Sequence, residues 1–269
     1  MLGAQHSKSA RLAWRDIRDA IVGWELWRTF AWNDVMTRYR RSRLGQFWIT
    51  ISIGIFILAI GVFYGQILSL PLDEYLRYLA IGYILWGFLV GCIGEGPGVF
   101  VGATSFLTQT RIPQTALVLR CLLRNVIVFA HNAVIIFAIL LIYPVDPGLS
   151  LLLLVPGFAL WLLTLFWVIM ALGLICVRFR DVAQIVTSVM QIAFFVTPVL
   201  YQPDMLTGHA RLLAGLNPFT HYISLLRDPL LGGAPAPVSW IVCGSIAIVG
   251  GFFTFRLFAR LRSRVPYWL

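Results

Sequence analysis

Residues 47–70 read FWITISIGIFILAIGVFYGQILSL, 24 positions without a charge. A helix needs roughly 20 such residues to cross about 30 Å of hydrocarbon. The pattern returns at 76–101, 121–143, 150–177, 185–202 and 238–258. In lipid only structures that satisfy their own backbone are stable. The sequence therefore predicts an all-α polytopic membrane protein with six transmembrane helices. The fifth run is short and carries Pro198. With 59% hydrophobic and only 12% charged residues, the chain falls far from a soluble domain, where about 25% charge is usual.

The net charge of +10 raises nucleic acid as a partner, but a nucleic-acid binder spreads its cations over a folded polar face. Here they sit between apolar runs, which is the pattern of bilayer orientation. With six crossings both termini share one side, and that side holds 18 of the 21 Lys and Arg residues. The other side has Arg77, Arg211 and Arg227. Cytoplasmic termini follow from the positive-inside rule. The run RYRRSRLGQFW places Arg38, Arg40, Arg41 and Arg43 at the start of the first span, beside the anionic leaflet. No signal peptide is expected, because more than 40 residues rich in Arg and Trp precede the first apolar run.

The same numbers divide the chain into a terminal segment 1–46, a membrane domain 47–258 and a basic tail 259–269. Within the first, Trp14, Ile17, Ile21 and Trp24 recur at helical spacing between Arg11, Arg15, Arg18 and Arg28, the signature of an amphipathic helix lying in the interface. Span one carries Gly54, Gly61 and Gly65 with Leu58 on one face, a packing seam. Asn125 and Asn132 lie on one face of span three and suit hydrogen bonds between helices. Glu95 is the one carboxylate within the apolar spans, and such an acid is either functional or paired with an arginine. Along span five Gln184, Ser188, Gln191, Phe195, Pro198 and Tyr201 recur every three or four residues. Lipid disfavours that stripe, so it should face protein or a wet pathway.

Between spans five and six, Asn217 and Pro218 form an N-cap and first-turn pair. They start a short helix along Tyr222, Ile223, Leu226 and Leu230, expected to be re-entrant or periplasmic. Cys92, Cys121, Cys176 and Cys243 lack CxxC spacing and read as buried small apolar residues. The four histidines have no metal-ligand spacing, so no metal is expected. Lys8, the single lysine, follows Ser7, which rules out a P-loop. The chain is thus expected to be a transport subunit without its own nucleotide site or bound cofactor, and not an enzyme.

Taken in order, RYRRSRLGQFW after a Trp-rich helix, the RIP turn after span two, VRFRDVAQI before span five, TPVLY, LNPF with Arg227, and the basic tail resemble the permease subunit of type-2 ABC exporters of polysaccharides. That group exports O-antigen, capsule and teichoic-acid polymers on a lipid carrier. The resemblance implies a homodimer in the bacterial inner membrane, joined by two copies of a separate P-loop ATPase that binds ATP and Mg. It implies an interface helix at Trp14, Ile17, Ile21 and Trp24, and ATPase coupling through Thr104, Phe106, Arg111, Ile112 and Pro113. The substrate pathway would use the span-five stripe, with residues 198–227 closing its outer end. Arg38, Arg40, Arg41 and Arg43 suit the pyrophosphate of a lipid-linked glycan, because guanidinium binds phosphate through forked bonds. Export of a drug or small lipid is the nearest alternative. An ion-coupled transporter would rely on Glu95 and His131, and a membrane transferase would need paired acids that do not occur.

Overall fold

The computed structural model describes residues 2–39, 47–109 and 112–269. Among them every regular element is helical, with no strand. The first two helices are α1 (Leu2–Val22) and α2 (Trp24–Tyr39). Then follow α3 (Phe47–Ile67), α4 (Leu72–Glu95), the six-residue α5 (Thr104–Gln109), α6 (Gln114–Ile142) and α7 (Leu154–Arg178). The chain ends with α8 (Val182–Val196), α9 (Gly208–Leu216), α10 (Pro218–Leu230), α11 (Pro237–Leu261) and α12 (Val265–Trp268).

Five segments are long and apolar enough to cross a membrane: Trp48–Ile67, Leu72–Gly98, Gln114–Ile142, Gly148–Arg178 and Pro237–Leu261. The expected fifth span, 185–202, is instead the 15-residue helix α8. At 1.5 Å per residue it covers about 22 Å, short of a straight crossing. The cause is local. Proline disfavours helical backbone in the residue before it, and Thr197 is extended at φ −85° and ψ 132°.

Other edges move for equally local reasons. Expected at 76–101, the second span starts at Leu72 and leaves α-helix after Glu95, where Gly96–Gly98 turns as a 3-10 segment around Pro97. The third, expected from 121, begins at Gln114 and carries Arg120 and Arg124 inside the helix. Those charges do not end it because both meet carboxylates. The sixth continues to Leu261, past the expected boundary at 258.

Helix α4 is the hub, in contact with α3, α6, α7, α8 and α10. Its most apolar stretch is 67% buried, against 17% for α3 and for α6. Phe88 stacks on Trp161 at 5.9 Å and lies 4.9 Å from Phe129. Trp161 in turn donates its indole N–H to Tyr222 O at 2.7 Å, so the polar end of this buried ring is paired. Gly61 and Gly65 of the expected seam do pack on α4, against Leu76, Leu72 and Tyr75. Leu58 does not share that seam: it is exposed, and Ile57 is the buried neighbour.

The amphipathic helix expected through Trp14, Ile17, Ile21 and Trp24 is broken at Gly23 into α1 and α2. Another face packs on the bundle. Ala13, Asp16 and Ala20, then Ala31 and Val35, turn inward, while Trp14, Ile21 and Trp24 are 65%, 60% and 45% exposed. Alanine allows α1 to approach α6 and α11 closely, and Trp14 reaches α11 only with its edge, its ring 6.5 Å from that of Phe255. Ile17 alone of the expected four packs against the core.

Candidate functional site

On α8, Gln184, Ser188, Gln191 and Phe195 are all exposed and lie along one side of the helix. Helix α8 touches the rest of the bundle mainly through α4 and α7. Phe194 and buried Met190 face inward, with Phe194 5.7 Å from Trp86. The expected polar stripe therefore stands free along a helix that the bundle holds by its back. Pro198 departs from it and is buried.

Beyond α8 the chain from Thr197 to Gln202 is not helical, and irregular backbone in a membrane protein needs partners from its own fold. Three side chains provide them, and a fourth braces the segment through a hydroxyl. Tyr75 donates its hydroxyl to Leu200 O at 2.7 Å, and Tyr78 donates to Pro198 O at 2.9 Å. Arg227 donates Nη1 to the same Pro198 O at 2.8 Å, and Asn217 donates Nδ2 to Thr197 Oγ1 at 2.8 Å. Asn217 also caps α10 as its sequence suggests, accepting from Phe219 N at 3.0 Å. Arg227 is buried with its guanidinium 4.0 Å from the centre of the Tyr78 ring, a cation–π contact that offsets part of its desolvation. The motifs TPVLY and LNPF and the arginine at 227 thus meet in one place.

At the opposite end, which carries both termini, the segment 96–113 emerges between α4 and α6. Its first turn is wedged on α7: a Cβ at Gly173 would lie 2.4 Å from Val99 Cγ1 and 2.9 Å from Phe100. Phe100 is fully buried there. Helix α5 follows, with Thr104 Oγ1 donating to Val101 O at 2.8 Å. Ile112 and Pro113 then line a cleft of about 600 Å³ together with Leu12, Asp16, Gln114 and Arg262.

Two ionic groups secure this end. Arg120 donates Nε and Nη2 to both oxygens of Asp34 at 2.7 and 2.6 Å. Arg124 bridges Asp34 Oδ2 at 2.9 Å and Glu95 Oε2 at 2.7 Å. Asn125 adds a bond of 2.7 Å to Glu95, fitting into the space left by Gly91. Burial pushes the Asp34 carboxyl upward, but the hydrogen bonds and charges of Arg120 and Arg124 outweigh it and hold the group below its ordinary value. Glu95 is thus paired with an arginine, the second of the two possibilities for it. The other group centres on Asp16 of α1, which is buried and accepts from Thr115 N, Thr115 Oγ1, Gln114 N and Arg262 Nη2 at 2.7 to 3.2 Å.

The ABC-2 type transporter family matches residues 25–231, more than half of the chain. The chain belongs to that family. Among its relatives, the O-antigen export system permease protein RfbA of Klebsiella pneumoniae is 22% identical over 202 residues, 75% of this chain and 78% of that protein. The protein of the same name from Myxococcus xanthus is 22% identical over 188 residues, 69% of this chain and 72% of its own length. An ABC-2 transporter chain of this kind is the membrane-embedded transport subunit. Its family match spans α2 to α10, and so takes in the α8 stripe, the outer fold at 197–230, the segment 96–113 and the Asp34–Arg124–Glu95 bridge. Asp16 and Arg262 lie outside the matched stretch.

In this ABC-2 permease the expected coupling residues Thr104, Ile112 and Pro113 fall on or beside α5, at the end with both termini. Arg111 and the side chain of Phe106 lie outside the described residues, as do Arg40, Arg41, Arg43 and the side chain of Arg38. Tyr201 curls back, its hydroxyl donating to the carbonyls of Phe195 and Val196 at 3.0 Å, so it closes the end of α8 and does not extend the stripe. Asn132 accepts from Thr50 Oγ1 of α3 at 3.1 Å, the interhelical role expected of it. All four cysteines are free and buried. The sequence does not single out Asp16, Asp34, Arg120 and Arg124 as structural groups, because each meets its partner from a distant helix.

Proposed function

We propose that this chain is the permease of an ABC exporter that carries a lipid-linked polysaccharide across the bacterial inner membrane. Two copies form the transport path, and two copies of a separate P-loop ATPase, holding ATP and Mg, drive it from the cytoplasm. Both termini lie on that side. Helix α8, with the non-helical 197–202 fold above it, supplies the sixth crossing and faces the path.

The observation that carries this reading is the α8 stripe. Gln184, Ser188, Gln191 and Phe195 are exposed on a helix whose other side is anchored in the bundle. Lipid does not favour three uncharged polar groups on an exposed face. A glycan does suit them: amide and hydroxyl groups exchange hydrogen bonds with sugar hydroxyls, and Phe195 offers a flat surface to C–H faces. Such sites are individually weak, and several weak sites in series favour passage over retention. The relatives named as O-antigen export permeases support the substrate class.

An ion-coupled mechanism fits less well. Glu95 is bound by Arg124 and Asn125 at 2.7 Å each, a contact between helices that serves packing. Drug or small-lipid export stays the second reading within the class.

The test is co-expression with a candidate P-loop ATPase from the same organism. The two should purify together from detergent, and uptake of lipid-linked glycan into inverted vesicles should stop when the ATPase P-loop lysine is replaced. Uptake that continues under a proton gradient alone would reject the proposal.

A further inference from the structure

Helix α6 begins at Gln114, directly after the segment that carries α5, and its first amide N–H groups have no partner within their own helix. Pro113 at the N-cap has no side chain able to accept them. Asp16, from a helix about a hundred positions earlier, fills that role. Its Oδ1 accepts from Thr115 N at 3.0 Å and from Thr115 Oγ1 at 2.7 Å, and its Oδ2 accepts from Gln114 N at 3.2 Å. The negative charge also complements the positive end of the α6 dipole.

The same Oδ2 accepts from Arg262 Nη2 at 3.1 Å, and Arg262 donates Nη1 to Leu12 O of α1 at 2.9 Å. Gln114 Nε2 then donates to Arg262 O at 2.8 Å, closing a ring of bonds through three elements. Asp16, Thr115 and Gln114 are all more than nine-tenths buried. Hydrogen bonds to a carboxylate are about twice as strong as neutral ones. Leu12, Leu107, Pro113 and Ala259 line the cleft of about 600 Å³ beside the group, so apolar packing does not fill the space there.

We infer that Asp16 is the positioning residue through which a displacement of the segment 104–113 reaches α1 and the basic tail. The first turn of α6 cannot tilt with that segment unless α1 and Arg262 follow, because moving apart strands the buried amide donors of Gln114 and Thr115 and breaks the bond from Gln114 Nε2 to Arg262 O. α1 in turn carries its exposed Trp14 and Ile21 at the surface, so the motion arrives where the chain meets the interface. This inference rests on the proposed ATPase partner, which would supply the displacement.

Hydrogen exchange on the assembled complex tests it, with Mg-ATP and orthovanadate as the only probe. In the wild type, trapping should change exchange at 104–118 and also at 9–22 and 262–269. In Asp16→Asn the change at 104–118 should persist, while that at 9–22 falls at least about threefold, since one carboxylate oxygen becomes a donor facing donors. A role in stability alone would raise exchange near 114–118 with or without nucleotide and leave the nucleotide-dependent difference intact, and that result overturns the inference. If Asp16→Asn does not assemble, Thr115→Val removes one hydroxyl with the cap in place and should reduce the response at 9–22 by about half. An unchanged response there overturns the inference equally. A wild-type complex that does not bind the ATPase instead defeats the parent reading of function, and is recognised by the absence of any response at 104–118.

Discussion

Arg120 grips Asp34 with a forked pair of hydrogen bonds, Nε at 2.7 Å and Nη2 at 2.6 Å, and so fixes α2 against α6. Both side chains are about one-fifth exposed, so the pair is neither a solvated surface contact nor a sealed one. Asp34→Asn should cost about 1–3 kcal/mol, because it leaves Arg120 without its partner charge and Arg124 with Glu95 alone. Thermal unfolding in detergent, compared with wild type, measures it. An unchanged midpoint would mean that water replaces the carboxylate without loss.

The same pair sets a pH dependence. The folded-state pKa of Asp34 is depressed, so its contribution is complete above the ordinary value of 3.8 and is lost as pH falls through the lower folded value. The difference in unfolding midpoint between wild type and Asp34→Asn should therefore be flat between about pH 5 and 8 and shrink only below about pH 4. A difference that disappears near pH 6 would point to another group.

Gly173 lets the turn after α4 lie directly on α7. In Gly173→Ala the new methyl would meet Val99 Cγ1 at 2.4 Å and two atoms of the buried Phe100 ring at 2.9 and 3.0 Å. Overpacking of this kind costs about 1–3 kcal/mol. It also displaces the stalk of α5, so ATPase stimulation should fall along with stability. Gly244→Ala, where a Cβ meets nothing within 4 Å, is the matched control and should behave as wild type.

Tyr78 and Arg227 hold the same carbonyl, Pro198 O, at 2.9 and 2.8 Å. Tyr78→Phe should cost about 1 kcal/mol by removing one donor while keeping the ring under the guanidinium. Arg227→Lys should be worse than its conserved charge suggests, because an ammonium lacks the plane that stacks on Tyr78. Limited proteolysis of residues 197–217 reads both: cleavage should be faster in Arg227→Lys than in Tyr78→Phe, and slowest in wild type.

The native cysteines are buried and free, so thiol reagents should leave the wild type almost unlabelled. Ser188→Cys and Gln191→Cys place thiols on the exposed stripe, where a membrane-impermeant maleimide should react through a water-filled path. Thr187→Cys, one position round the helix and also exposed, provides the comparison. Equal and low labelling at all three sites would place the stripe in lipid.

Sequence alone determined that the chain is a helical membrane protein and where its apolar helices run. Length and polarity of a run are local properties, and the bilayer selects on both. The breaks at Gly96–Pro97–Gly98 and before Pro198 also act on their own backbone, yet the expected spans 76–101 and 185–202 run through both, and only the structure shows where the helices end. The N-cap at Asn217 and the α8 stripe were legible because each is written within a few consecutive turns. Only the tertiary structure decided which charges meet. Asp34 and Arg120 are 86 positions apart and Asp16 and Arg262 are 246 apart, and no periodicity connects them. It likewise decided that α1 buries Ala13, Asp16 and Ala20 and leaves Trp14 largely exposed, because the face chosen depends on how closely α6 and α11 can approach, which the hydrophobic pattern of α1 does not encode.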